Sequence, residues 1–129
     1  MEKTYRHGAS VQLTYIRIIR ILNNRFYNKY FNYDSILGVL YYTYREDIKK
    51  DKLKDFMSEL QLWGFVSLHK KGSRTPFKLM MLIPERMTYD IIDHSIGWWM
   101  TGKEKYDIIK SYQIMEREDK IKKLKERIK

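Results

Sequence analysis

At Gly64 the spacing of apolar residues changes period, and this break constrains the fold more than any other feature of the chain. Upstream, Leu53, Phe56, Met57, Leu60 and Trp63 recur at three- and four-residue intervals, the repeat of a helix with one buried face. Downstream, Phe65 to His69 and Phe77 to Ile83 are short runs of aromatic, β-branched and long apolar residues around Lys70, Lys71, Gly72, Ser73, Arg74, Thr75 and Pro76. That arrangement predicts a β-hairpin with a basic tip. A glycine at the junction suits a helix that ends by turning left-handed.

Two more helical stripes precede this one. Val11, Tyr15, Ile18, Ile19, Leu22, Phe26 and Tyr30 predict a long first helix, with Ser10 as its N-cap and Arg17, Arg20, Asn24 and Asn28 on its polar side. Ile36, Leu37, Leu40 and Tyr44 predict a short second helix capped by Asp34, and Arg45, Glu46 and Asp47 form a polar turn. The third helix is expected to start at Asp47 or Asp51, either of which can accept from first-turn amides. The tyrosines fall mostly on these apolar faces, where packing is their expected role. Tyr41, Tyr42 and Tyr44 crowd one short helix and cannot all be buried.

After Pro84, Met87, Ile91, Ile92, Ile96 and Trp99 predict a fourth helix, with Asp90, Asp93 and His94 on its solvent face, interrupted at Thr101 and Gly102. Lys103 to Lys129 then reads as a charged helix. In it Ile114, Ile121 and Ile128 repeat every seven residues with Leu124 between, the start of a coiled-coil seam. The expected fold is mainly α with a small β-hairpin, a winged helix-turn-helix with a C-terminal helical extension. Residues 1–83 are expected to form the winged-helix domain, and residues 84–129 a dimerisation segment that includes Trp98 and Trp99.

A chain of 129 residues with 43% hydrophobic and 33% charged residues suits one compact core. Its formal charge of +10, from 26 Lys and Arg against 16 Asp and Glu, favours polyanions. The absence of cysteine removes disulfides, thiolate catalysis and cysteine-ligated zinc. His7, His69 and His94 are too far apart in sequence to suggest a metal site, and no cofactor is expected. No Gly-rich phosphate loop, nucleophile elbow or carboxylate pair with a base is present, so no enzyme activity is expected. Met1 to Ser10 lacks the apolar core of a secretory signal, and no apolar window approaches the roughly 20 residues of a membrane span. The expectation is a cytoplasmic protein with no membrane contact.

One stretch carries a family resemblance. Leu53, Phe56, Met57, Leu60, Gly64, Phe65 and Val66 resemble the pattern with which winged-helix repressors of the MarR and PadR families close the recognition helix and enter the wing. The likeness covers about residues 34 to 83. It implies a third helix in the major groove of double-stranded DNA and a wing against the backbone or the adjacent minor groove.

The charges fit that expectation in part. Residues 49–63 carry Lys49, Lys50, Lys52 and Lys54 against Asp51, Asp55 and Glu59, a net +1 with the lysines at the N-terminal end. There the amides and helix dipole add to them. Asp55 and Ser58 are expected to face outward toward base edges. In the wing, Lys70, Lys71, Ser73, Arg74 and Lys78 form a nucleic-acid-binding set with no acid between Leu68 and Ile83. The expectation is a homodimeric, sequence-specific transcription regulator, with Trp98, Trp99, Ile114, Ile121, Leu124 and Ile128 between the subunits. The alternative, which the mixed charge of the third helix favours, is a winged-helix module for protein–protein interaction; a replication-initiation factor acting on DNA is a further variant.

Overall fold

The computed structural model describes residues 9–70, 72–92 and 100–128, with side chains at 9–12 and 128 outside the description. The molecule is mainly helical and carries a small antiparallel sheet. Helix α1, Ala9–Arg25, buries Tyr15, Ile18, Ile19 and Leu22 at the expected spacing. Ser10, the expected cap, already lies inside it. The helix also ends earlier than the stripe implied. Asn28 takes a left-handed φ of 57°, a conformation asparagine tolerates better than most residues, and the chain reverses into strand β1, Tyr30–Phe31. Tyr30 therefore belongs to a sheet, not to the first helix.

Helix α2, Tyr33–Tyr44, is capped by Asn32 and not by Asp34. The Asn32 side chain accepts from the Ser35 amide at 2.8 Å, and the Asn32 amide donates to Ser35 Oγ at 3.4 Å, a reciprocal box that leaves Asp34 in the first turn. Arg45 ends the helix in the left-handed region, its amide donating to Tyr41 O at 2.8 Å. Helix α3, Lys50–Trp63, starts from an extended Lys49 whose side chain makes no capping bond. Neither Asp47 nor Asp51 is its N-cap. At the other end Gly64, φ 88°, donates to Gln61 O, and Phe65 donates to Leu60 O at 3.0 Å. These two bonds satisfy the last carbonyls of α3 and turn the chain into the hairpin.

Strands β2, Val66–Leu68, and β3, Phe77–Leu79, pair antiparallel, with Val66 opposite Leu79 and Leu68 opposite Phe77. β1 pairs with the other edge of β3, giving the order β1-β3-β2. The regular part of the second hairpin strand is shorter than expected, because beyond Leu79 only one bond continues the ladder, from Met80 N to Phe65 O. Instead Asn23 of α1 brackets Ile83, accepting from its amide at 2.9 Å and donating to its carbonyl at 2.8 Å.

One core joins these elements. Phe31, Phe56, Phe65, Ile36, Leu40, Leu53, Met57 and Leu60 are fully or almost fully enclosed, and each such side chain stabilises the fold by roughly 1.5–3 kcal/mol. Met87, Ile91, Ile92 and Ile109 join the same cluster, so the core crosses the boundary expected at residue 83. They come from a 3-10 turn, Glu85–Met87, helix α4, Thr88–Ile92, and helix α5, Gly102–Ile128. Asp90 is not on a free solvent face: it accepts a 2.6 Å bond from the Tyr112 hydroxyl of α5. Asp93 and His94 lie outside the described residues. Thr101 and Glu104 box the start of α5, and Lys105 Nζ donates to Leu62 O at 3.0 Å in the last turn of α3, where a cation opposes the helix dipole. Arg86 pairs with Asp119 further along.

Candidate nucleic-acid interface

The side of α3 opposite its buried stripe is exposed, and it carries Lys50, Asp51, Lys52, Lys54, Asp55 and Ser58. Its flanks differ. Lys52 borders a hollow of about 60 Å³ with Thr14, Tyr15 and Ile48 on the α1 side. Burial and then the nearby Asp55 charge push the Tyr15 phenol up, so the acid lies toward α1 as well. Lys50 and Lys54, one turn apart, lean the other way. Their ammonium groups sit 5.9 and 6.0 Å from the centre of the Tyr33 ring. Ser58 is exposed, but its hydroxyl donates to Lys54 O at 3.0 Å, leaving the oxygen to accept.

Tyr33 links that end of α3 to the hairpin. Its ring meets Phe77 of β3 edge-on, with centroids 5.0 Å apart, and partial burial raises its phenol, which stays protonated at neutral pH. Beside it, Asn32 Nδ2 donates to Arg74 O at 2.6 Å. The residue that caps α2 therefore also ties down the hairpin tip. Lys50, Lys54 and Arg74 are exposed at this junction, and Asp34 brings an acid within 3.8 Å of Lys50.

At the tip, Gly72 adopts a φ of 87°, and Ser73 donates from its amide to Lys70 O at 3.1 Å, closing the turn. Ser73 Oγ accepts from the Thr75 amide and serves the loop itself. Lys70 is exposed; Lys71 lies outside the described residues. Lys78 is not at the tip. It is half-buried in the middle of β3, its ammonium 5.3 Å from the Tyr30 ring centre.

On α5, Ile109, Tyr112 and Asp119 face the domain, while Ile114, Ile121 and Leu124 lie on the opposite side. These three are 46%, 47% and 56% exposed. Trp98, Trp99 and the Ile128 side chain lie outside the described residues. Among the described residues no group of three or more His, Cys, Asp or Glu side chains is placed to hold a metal ion, and no helix is long and apolar enough to cross a membrane.

Sequence reasoning missed Asn32 and Tyr33. Asn32 had a usable signal, a serine three residues on at Ser35. Tyr33 had none, because its contacts with Lys50, Lys54 and Phe77 join residues far apart in sequence. Comparison of the chain with protein-family models, curated proteins and solved structures finds no match.

Proposed function

We propose that the chain is a winged-helix protein that binds double-stranded DNA and regulates transcription, with α3 as the recognition helix and the β2–β3 hairpin as the wing. The element order α1-β1-α2-α3-β2-β3 and the sheet order β1-β3-β2 support this reading of the fold. The observation that carries the function is the junction at Asn32 and Tyr33, which joins the lysine-bearing start of α3 to the hairpin through Phe77 and the Arg74 carbonyl. Cations from both elements then act on one polyanion. The exposed start of α3 also adds its amides and helix dipole.

The exposed stripe of Ile114, Ile121 and Leu124 supports a homodimer, whose two α3 helices would read half-sites about one DNA turn apart. No residue set is assigned to catalysis or to a cofactor. The mixed charge of α3, with Asp34 beside Lys50, favours a second reading in which the same face docks another protein.

Fluorescence anisotropy with a labelled duplex separates the two. With Lys50→Glu and Lys54→Glu combined, duplex affinity at about 0.1 M salt is expected to fall about tenfold for each DNA phosphate that is no longer neutralised. Wild-type protein that fails to bind duplex, or a double variant that binds as tightly as wild type, supports the protein-docking reading instead.

A further inference from the structure

Outside the α3 junction, the outer face of the sheet carries an arrangement that the proposed duplex interface leaves unused. In register across the three strands run Tyr30 of β1, Lys78 of β3 and Ser67 of β2. The opposite face holds the buried Phe31, Phe77, Val66 and Leu79. His69, two residues beyond Ser67, shares the outer side, and its ring centre lies 5.1 Å from that of Tyr30. Tyr30 is 46% exposed, a large ring left at the surface on a strand only two residues long. The Lys78 ammonium at 5.3 Å completes a group of two rings and a cation.

The charge around this group is one-sided. The chain has no Asp or Glu between Glu2 and Asp34, nor between Glu59 and Glu85, and these two stretches supply all three strands. Arg17 and Arg20 in the first stretch are paired with Glu46 and Glu85. Arg25 and Lys29, which lead into β1, are exposed, as is Lys70 two residues beyond β2. An exposed ring among cations suits a base together with its phosphates. In a duplex the bases are already stacked on one another; in a single strand their faces are free.

We propose that the outer face of the sheet is a binding site for single-stranded nucleic acid, with an unpaired base stacked on Tyr30 beside His69 and the backbone phosphates held by Lys78 and Lys29. Every base has a π-face, so the site takes single strands with little sequence preference. It is separate from the α3 junction, and a protein holding both reads a duplex and an adjoining unpaired strand.

The test uses the full chain and a labelled dT oligomer of about twelve nucleotides, within the range one such site covers. Tyr30→Leu keeps an apolar side chain at the strand edge and removes the π-face. It is expected to weaken dT binding between about fivefold and a hundredfold, while Tyr30→Phe stays within about twofold of wild type. Both variants are expected to bind duplex as wild type does. A 2-aminopurine placed in the oligomer is expected to be quenched by wild type and Tyr30→Phe but not by Tyr30→Leu. The proposal is overturned if wild type does not bind the oligomer or if Tyr30→Leu binds it unchanged. Equal weakening of oligomer and duplex by Tyr30→Leu, or a loss with Tyr30→Phe matching that with Tyr30→Leu, also overturns it.

Discussion

Asn32 does two separable things, and substituting it in two ways tells them apart. Its Oδ1 accepts from the Ser35 amide at 2.8 Å and caps α2, while its Nδ2 donates to Arg74 O at 2.6 Å and anchors the wing. Alanine removes both: the cap is worth about 1 kcal/mol and the exposed wing bond about 0.5 kcal/mol. For a chain of 129 residues the unfolding entropy is about 0.27 kcal/mol per degree, so Asn32→Ala is expected to lower Tm by about 5–6 °C. Aspartate keeps the cap, since Asp and Asn rank together at that position, and its charge favours a helix N-terminus. It cannot donate to Arg74 O and it sets a carboxylate inside the cationic junction. Asn32→Asp should therefore melt within about 2 °C of wild type yet bind duplex about fivefold more weakly, the factor that ~1 kcal/mol of charge repulsion gives. Thermal circular dichroism and duplex anisotropy read the two effects. A variant Asn32→Asp that melts as low as Asn32→Ala, or one that binds duplex like wild type, refutes this division of roles.

Other expectations follow from single interactions. Asn23→Leu strands the buried amide and carbonyl of Ile83, costing about 2–4 kcal/mol, and thermal melting should fall by roughly 7–15 °C; a fall under about 3 °C would contradict it. Tyr112, pushed up to about 12 by burial and then by its bond to Asp90, is raised above its unfolded value of 10.0. Its contribution is therefore intact below about pH 10 and lost as pH rises through about 12, and Tyr112→Phe should flatten that part of the stability profile in denaturant titrations while costing about 1 kcal/mol at neutral pH. With Ile121→Glu and Leu124→Glu together, light scattering should report a monomer where wild type is a dimer; a wild-type monomer removes the proposed role of α5.

The long elements were legible because periodicity is written many times over in them: the stripes of α1 and α3 and the left-handed Gly64 appear where the sequence puts them. Ends and short pieces were not. Asp34, Asp47 and Asp51 were reasonable caps by residue type, but which residue caps is fixed by where the chain enters the helix. The sheet sets that entry for α2, leaving Asn32 extended at a φ of −133°. β1 was hidden because Phe26 and Tyr30 continue the helical spacing of α1, and only the left-handed Asn28 breaks it. In the candidate interface, the exposure of Lys50, Lys54 and Ser58 was readable from α3 alone. The link between α3 and the wing was not, since Asn32 and Arg74 are 42 residues apart and meet through tertiary packing.

The central claim is that cations of α3 and of the hairpin bind one nucleic acid together, and the salt dependence of duplex affinity measures it most directly. With Lys50, Lys54, Lys70 and Arg74 each neutralising a phosphate, log K against log salt concentration should fall with a slope of about −3 to −4. Replacing these four residues by alanine should make that slope shallower by about 3 to 4. A wild-type slope near zero, or the same slope in the quadruple variant, would contradict the account.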